Sequence, residues 1–334
     1  MTIDSPLLRR AALEATGHQR HAPATLYVVA TPIGNLADLS LRAIHVLGLV
    51  QAVACEDTRV AAQLLRHLGL QPPLLALHAH NEHEASTAVL ERLAGGESVA
   101  YVSDAGTPAV SDPGAALVAR AAAAGFTVVP VPGASSALAA LSVAGDVAGS
   151  GGGGKRGGGG FQFIGFLPAK GADRQTALAA LLASPTTQLL FEAPHRIQTL
   201  VAELAAAAPT RVVTLCRELT KQFETVVTQP AAWLPAWLAA DDNRRRGEFV
   251  LVLHAQPLAQ DPGLPAAGLH TLRVLLRELP LKQAVALAAE ISGAPRNALY
   301  QHALLHRAAS ATGEADAELP SRPDEPEGDA DAQT

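Results

Sequence analysis

The chain has 334 residues, with 31 acidic and 25 basic side chains, a formal net charge of −6 and two cysteines. As a whole-chain value, this charge disfavours a polyanionic partner, because Lys and Arg supply most of the affinity for nucleic acid. Residues 310–334, however, carry eight acidic side chains and one basic one, so subtracting their −7 leaves +1 for residues 1–309. The charge outside this tail therefore does not exclude a nucleic-acid partner.

Length and cysteine content bound the organisation of the chain. At roughly 100–200 residues per domain, two domains are expected. Two distant thiols are too few for a disulfide framework or a cysteine metal site, which favours the cytoplasm. No apolar run reaches the roughly 18–20 residues of a membrane span, so no membrane association is predicted. Residues 1–24 lack the apolar core of a secretory signal and are predicted to be a flexible leader.

Residues 25–148 are predicted to form an N-terminal α/β domain with a parallel sheet. Four apolar runs typical of buried strands occur there, at residues 26–30, 50–54, 99–103 and 128–131. Each run is followed by a polar turn and then by a segment with helical spacing of apolar residues. Because ligands of such sheets bind at the carboxyl ends of the strands, the four turns are expected to meet at a binding edge.

A glycine tract at residues 149–160 predicts a flexible linker or insertion, followed by a second α/β domain at 161–258. The strand-like segments of this domain are residues 188–191, 211–216, 224–227 and 249–254, and a helix is predicted at 197–207. Strands that follow one another with few helices between them favour a mixed sheet.

Residues 264–308 are predicted to form a small helical module of three helices. Within it, residues 281–300 have the helix, glycine turn and helix rhythm of a helix-turn-helix, for which a simple αα-hairpin is the alternative. Residues 310–334 hold little that can be buried and are predicted to be disordered. Charge also divides unevenly, with a net of −5 over residues 21–149 and +4 over residues 150–246. The second domain is therefore the one expected to face phosphate.

Polar turns in the first domain are the first candidate site. Residues 103–108, Ser-Asp-Ala-Gly-Thr-Pro, place the carboxylate of Asp104 where it can accept a hydrogen bond from a ribose or an ammonium group. The turn at residues 132–136 likewise places polar groups, here two hydroxyls, at the start of a helix. Helix capping is the structural alternative for both turns. The turn at residues 31–35 lacks the glycines of a dinucleotide or phosphate loop, so neither NAD nor ATP is supported.

A histidine-rich segment, with His78, His80 and His83, invites a metal interpretation. It lacks the spacing of a zinc helix and is interpreted as a solvated loop, so no metal is predicted.

Charged clusters end two strands of the second domain, at residues 191–196 and 216–221. Such clusters are commonly satisfied surface pairs, yet two of them in one domain can line a cleft that faces the first domain. The three arginines Arg244, Arg245 and Arg246 form a basic turn that either contacts phosphate or is simply solvated.

Six strings of this sequence occur together in one known family. They are Leu-Tyr-Val-Val-Ala-Thr-Pro-Ile-Gly-Asn-Leu at 26–36, Glu-Asp-Thr-Arg at 56–59, Ser-Asp-Ala-Gly-Thr-Pro at 103–108, Gly-Phe-Leu-Pro at 165–168, Arg-Glu-Leu-Thr-Lys at 217–221 and Arg-Arg-Arg-Gly-Glu at 244–248. In these strings the chain resembles the ribosomal RNA small subunit methyltransferase I family, within the tetrapyrrole-methylase-like superfamily. The resemblance covers about residues 25–307. The chain departs from the family at 132–135, where it has Pro-Gly-Ala-Ser in place of a Pro-Gly-Pro-Cys-like string.

The resemblance implies 2′-O-methylation of a cytidine in the decoding region of 16S rRNA, in the 30S subunit, by a homodimer. The cofactor would be S-adenosyl-L-methionine, held in the cleft between the two α/β domains. By motif match, the cofactor-binding residues would be Pro32, Asp104, Thr107, Ser135, Ser136, Phe191 and Cys216.

Methyl transfer to a ribose hydroxyl benefits from a nearby base, and the sequence offers several candidates. The candidate catalytic residues are Glu192, His195, Glu218 and Lys221, and the candidate RNA-binding residues are Arg196, Arg217, Arg244, Arg245 and Arg246. Two alternatives remain open. A precorrin or uroporphyrinogen methyltransferase would be expected to have a glycine-rich first loop, which residues 31–35 lack. A non-catalytic RNA-binding ribosome factor would not need the Asp104 turn.

Overall fold

The computed structural model describes residues 5–111, 113–145, 160–256 and 266–311. Residues 1–257 belong to one compact unit, which holds two α/β domains, and the C-terminal helices belong to a second unit. The glycine tract predicted at 149–160 and the tail predicted at 310–334 lie almost entirely outside the described residues.

The first domain is a five-stranded parallel sheet in the order β3-β2-β4-β1-β5. Its strands are β1 Thr25–Val29, β2 Ala52–Cys55, β3 Leu74–Ala76, β4 Val99–Val102 and β5 Thr127–Val131. Its helices are α1 Ser5–Thr16, α2 Leu41–Leu49, α3 Thr58–His67, α4 Glu82–Ala94, α5 Ala115–Ala123 and α6 Ser136–Ala144. Every residue of β2 and β4 is buried, as expected for strands covered by helices on both faces. The predicted parallel-sheet domain is confirmed.

Local side-chain hydrogen bonds set where several helices begin. Ser40 accepts from the Ala43 N–H ahead of α2, and Ser135 accepts from the Leu138 N–H ahead of α6. These side chains satisfy backbone donors that have no partner inside the helix. Both helices therefore begin where their polar caps stand in the sequence.

The leader predicted at residues 1–24 differs from the structure, which has helix α1 there. Ala12 of this helix is fully buried in the core that α2 also covers. The helix has no amphipathic pattern in the sequence, because Leu7 and Leu13 are more than half exposed. Its buried face therefore lacks the row of large apolar residues that identifies a packed helix. A small alanine lets α1 pack closely on the domain.

The histidine-rich segment is also partly helical, where a loop was predicted. Glu82 begins α4, and its carboxylate accepts from the N–H groups of Gly114 and Ala116 at the start of α5. Thus an acidic residue of this segment caps a different helix. Within the part of the chain that the structure describes, no group of three or more His, Cys, Asp or Glu side chains is placed to hold a metal ion.

The second domain is a mixed five-stranded sheet in the order β6-β7-β10-β8-β9, as predicted for its class. Its strands are β6 Phe161–Phe166, β7 Thr187–Glu192, β8 Val212–Arg217, β9 Thr225–Pro230 and β10 Phe249–Leu253. Its helices are α7 Gly171–Ala183, α8 Ile197–Ala207 and α9 Leu234–Ala239. Only the β6–β7 pair is parallel, and the other three pairs are antiparallel. The sequence interpretation had assigned neither β6 nor α7.

The two α/β domains share an apolar core. Ile33 and the small residues of α6 pack with one face of the second sheet, which contributes Leu189, Cys216 and Val250. Alanines on α6 allow the helix to approach this sheet closely. The carboxyl edge of the first sheet is therefore held against the second domain.

The C-terminal unit consists of α10 Ala266–Leu275, α11 Leu281–Ser292 and α12 Arg296–Ala311. Gly293, with φ of +69°, ends α11 in the left-handed conformation that glycine adopts without strain. Val285, Ala288 and Leu299 lie in the small core of this unit. In the described parts of both units, no helix combines the length and the apolar character needed to cross a membrane.

Candidate functional site

The turns at the carboxyl ends of the first sheet are tied to one another. The Thr31 N–H donates to the Gly106 carbonyl at 2.9 Å, and the Gly106 N–H donates to the Thr31 carbonyl at 3.0 Å. The Thr107 hydroxyl donates to the Ala134 carbonyl at 3.0 Å. The turns after β1, β4 and β5 therefore meet at one edge, as predicted, and form one hydrogen-bonded rim.

Asp104 stands on this rim with an exposed side chain. Its Oδ1 atom accepts from the Asp57 N–H at 3.0 Å, which connects the turn after β2 to the same edge. Hydrogen bonds from Arg59 in turn lower the pKa of Asp57 to about 2. Asp104 is therefore positioned by backbone yet free to present carboxylate oxygen to a ligand.

A cavity of about 260 Å³ opens beside Asp104. It is bounded by the turn after β1, by α3 and by the end of β4, and Pro32, Gln63 and His67 line it. Sequence reasoning placed Pro32 and Asp104 at the site but missed α3, because Gln63 and His67 stand in an ordinary helical run without a motif.

The other first-domain candidates lie on the same rim but do not line this cavity. Ser135 is the N-cap of α6, Ser136 is its first residue, and Thr107 is half-buried against the turn after β5. The capping role proposed as the alternative for Ser135 is therefore present. Pro132 and Gly133 in the same turn are exposed, which leaves their backbone open to a ligand.

Phe191 and Cys216 lie in one transverse row across the second sheet. Phe191 pairs with Val250 on β10, and Val250 pairs with Cys216 on β8. Cys216 is fully buried, and burial raises the pKa of its thiol to about 12. Its thiol is thus neutral, and any contribution from this side chain to a ligand site is that of a small apolar group.

Glu192 lies on the opposite face of that sheet from Phe191, since successive residues of a strand point to opposite faces. Its side chain is fully buried, with Oε1 2.9 Å from Arg196 Nε and Oε2 3.9 Å from Arg174 Nη1. Arg174 also binds Glu203 on α8. This buried ion network, whose Arg174 sequence reasoning missed, locks β7 to α7 and α8. Glu192 is a structural carboxylate in this geometry.

The turn at residues 217–221 joins the two domains through Lys221. The aliphatic stem of Lys221 lies on Gly34, where an added Cβ would come within 2.4 Å of Lys221 Cγ. Its ammonium donates to Glu218 at 2.9 Å and to Glu248 at 3.1 Å. The sequence shows a lone glycine in the turn at 31–35, but no sequence pattern indicates that Lys221 is its partner.

Backbone strain is concentrated in the same turn. Glu218 and Thr220 have φ of +52° and +66°, a region that residues other than glycine seldom adopt. Gly247 makes room for the Glu218 carboxylate, because an added Cβ would lie 2.5 Å from it. Glu218 Oε1 also accepts from the Glu248 N–H at 2.9 Å. Residues 217–221 and 246–248 are therefore held together, by the close fit of Glu218 on Gly247 and by the Glu248 hydrogen bond.

The Glu218–Lys221 pair predicts a pH dependence. Burial raises the pKa of Glu218, but the hydrogen bond from the Glu248 N–H and the Lys221 ammonium together lower it by more. The net pKa therefore lies below its ordinary value. Glu218 therefore adds stability above its unfolded pKa, and this is lost as the pH falls through the lowered folded value. As the pH falls from about 5 to about 3, the unfolding free energy of the wild type should fall more steeply than that of Glu218→Gln, measured by urea titration. Equal slopes for the two proteins would contradict the pairing.

Most of the candidate RNA-binding arginines are engaged within the protein. Arg196 donates to the Leu167 carbonyl, and Arg217 donates to the Arg246 carbonyl. The remaining arginines of the basic turn differ among themselves: Arg244 stacks over Trp237 at 4.6 Å, Arg245 pairs with Asp242, and Arg246 is exposed. His195, like Arg246, has an exposed side chain.

Comparisons with known proteins identify the family. The model of the Tetrapyrrole (Corrin/Porphyrin) Methylases matches residues 25–235, and that of the RsmI C-terminal HTH domain matches residues 262–307. The "Ribosomal RNA small subunit methyltransferase I" of Pseudomonas aeruginosa is 48% identical over 282 residues, which cover 84% of this chain and 96% of that protein. Its namesake from Escherichia coli O157:H7 is 46% identical over 280 residues, covering 84% of this chain and 94% of that protein.

A solved structure shows the same fold. Diphthine synthase matches with a TM-score of 0.51 and 17% identity, over 69% of this chain and 90% of that one. The family is one of S-adenosylmethionine-dependent methyltransferases, which confirms the cofactor class predicted from the sequence. The chain thus belongs to the tetrapyrrole (corrin/porphyrin) methylase family and, within it, to the group of relatives named ribosomal RNA small subunit methyltransferase I.

Proposed function

We propose that the protein transfers a methyl group from S-adenosyl-L-methionine to the ribose 2′-oxygen of a cytidine in the decoding region of 16S rRNA, within the 30S subunit, and that it acts as a homodimer. The observation that carries the proposal is the 48% identity over 84% of the chain to a relative named for the RNA of the small ribosomal subunit.

The residues at the carboxyl edge fit this cofactor. S-adenosylmethionine presents an ammonium group, a ribose diol and an adenine ring, and it supplies a methyl group on a sulfonium that a nucleophile can displace. Asp104 offers an exposed carboxylate for the cationic or hydroxyl donors, and the cavity beside it offers an apolar wall. Thr107 and the Ser135–Ser136 turn would border the ligand, while Pro32, Phe191 and Cys216 would supply apolar contacts.

In this proposal, catalysis depends mainly on how the enzyme orients the ribose 2′-oxygen and the cofactor. Methyl transfer is an in-line displacement, so the enzyme must hold the 2′-oxygen opposite the leaving sulfur, and good orientation alone lowers the barrier by several kcal/mol, on the order of 7–11 in model reactions. The turns at 31–35 and 217–221, which meet where the Lys221 stem lies on Gly34, would support such alignment.

The candidate bases are not equivalent in the structure. Glu192 is locked in a buried ion network, and Glu218 is held as a carboxylate of low pKa by its donors. Burial lowers the pKa of Lys221, but Glu218 and Glu248 raise it by more, so the amine stays protonated and serves as a cation. His195 is the candidate that is exposed, and we assign it the role of accepting the hydroxyl proton.

RNA would bind along the second domain. Residues 150–246 carry a net charge of +4 in the sequence, and Arg246 presents an exposed guanidinium. Arg217 and Arg244 would add positive charge, whereas the charges of Arg196 and Arg245 are offset by their ion pairs with Glu192 and Asp242. The net positive charge suits phosphate contact that weakens with salt.

The test is incubation of unmodified 30S subunits with cofactor labelled in its methyl group, followed by nuclease mapping of the labelled nucleotide. Label on a cytidine 2′-oxygen in the decoding region is the expected result. Label elsewhere in the RNA would overturn the site. Label on a uroporphyrinogen offered in parallel would favour a tetrapyrrole substrate, and absence of label from both would favour a non-catalytic RNA-binding factor.

A further inference from the structure

Strand β6 contains an irregularity that changes the direction of one aromatic side chain. Phe163 pairs with Leu189, Gly165 pairs with Leu190, and Phe166 pairs with Phe191, so β6 advances two residues where β7 advances one. Gly165 has φ of +71°, and an added Cβ there would meet no atom within 4 Å. The glycine is therefore required by the backbone of this bulge rather than by close packing.

The bulge places Phe166 on the face of the sheet that looks toward the first domain. In a regular strand, Phe163 and Phe166 would point to opposite faces, because they are three residues apart. Here both rings contact Phe191, with centroids 5.1 Å and 5.7 Å from it and edge-to-face geometry. The extra residue restores the alternation so that the three rings form one cluster.

Exposure rises along this row toward the sheet edge. Cys216 is buried in the core shared by the domains and Phe191 is half-buried, whereas Phe166 is 57% exposed. The apolar row that begins between the domains thus ends in an open aromatic ring. A ring fixed by a neighbouring ring and open on its other side is suited to stacking against a flat π system.

The charged residue nearest to this ring along the chain is basic. Lys170, the one charged residue within five positions of Phe166 in the chain, is exposed. Glu192 has no exposed side-chain surface and is bound by two arginines. An open ring with an exposed lysine four positions further along the chain fits a base of single-stranded nucleic acid, in which stacked bases alternate with phosphates.

We infer that Phe166 is a substrate-positioning residue whose ring stacks on an unpaired base of the RNA, and this rests on the proposed function. The bulge at Gly165 exists to aim that ring. Stacking on an aromatic side chain tolerates any base, so Phe166 adds affinity and orientation while the choice of target nucleotide is made elsewhere.

The experiment measures binding of a fluorescein-labelled single-stranded RNA of about 10 nucleotides by anisotropy, together with KM and kcat for 30S methylation. Phe166→Ala should weaken RNA binding about tenfold and raise KM with little change in kcat. Phe166→Trp should restore binding to within about threefold of the wild type, whereas Phe166→Leu should not, because it keeps apolar area but no π face. Phe223→Ala removes a phenyl ring that is 68% exposed outside the row, and it should bind RNA as the wild type does.

Three outcomes would overturn the inference. These are full RNA affinity of Phe166→Ala, equal RNA binding by Phe166→Leu and Phe166→Trp, and calorimetry in which Phe166→Ala weakens cofactor binding instead of RNA binding. Thermal melting of each variant separates these results from loss of fold. Failure of the proposed function is distinct, because it would appear as absent methylation of 30S subunits by the wild type itself.

Discussion

Replacing Asp104 with Asn should reduce the affinity for S-adenosylmethionine by about 10- to 100-fold, as measured by calorimetry. A hydrogen bond to a charged group contributes about 1.5–3 kcal/mol, and Asp104 is an exposed carboxylate at the edge where the strand ends meet. The Asn variant isolates the charge, because its amide oxygen still accepts from the Asp57 N–H that Asp104 Oδ1 binds. Asp104→Ala removes this acceptor as well, and it should abolish measurable binding.

The matched control is Asp38→Asn, which removes an exposed carboxylate from the short turn after β1. It should leave the affinity within about twofold of the wild type, since screened surface charges contribute little. Unchanged affinity in Asp104→Asn and Asp104→Ala would remove Asp104 from the cofactor site. Equal losses in the Asp38 and Asp104 variants would instead indicate a general electrostatic effect of the acidic domain.

Glu192→Gln should lower the free energy of unfolding by about 3 kcal/mol. The substitution leaves Arg174 and Arg196 beside a neutral group in a buried site, and uncompensated buried charge costs about 3–5 kcal/mol. We expect a cost at the lower end of this range because Arg174 keeps its contact with Glu203 at 2.7 Å. Denaturant unfolding, with transfer activity expressed per folded molecule, provides the measurement.

The control for this network is Glu203→Gln, which removes the partly exposed partner of the same arginine. Its cost should be about 1 kcal/mol or less, because the Glu203 side chain is 31% exposed. A Glu192→Gln protein of wild-type stability that had lost its activity would restore Glu192 as the catalytic base and refute the structural role.

The fold was largely predictable because its strands are locally encoded. Parallel strands buried on both faces produce short apolar runs that end in polar turns, and β1, β2, β4 and β5 were found in this way. Strand β3 has three residues, too few for a pattern, and α1 buries an alanine rather than a row of large side chains. Strand β6 was missed because its bulge breaks the alternation that identifies a strand.

The candidate site was predictable at the level of turns and not of side-chain roles. The turn with Asp104 could be located because strand ends converge at one edge of a parallel sheet. Glu192 could not be separated from His195 without the pleat and the tertiary partner Arg174, which lies 18 positions earlier. The contact of Gly34 with Lys221 joins residues of different domains, and no local pattern encodes it.

That contact also governs how the cleft can open. Moving the second domain away from the first along this edge must lift the Lys221 stem off Gly34, and any movement of the stem pulls on an ammonium held by two carboxylates. Lys221 therefore couples the turn after β1 in the first domain to the charged turn of the second domain.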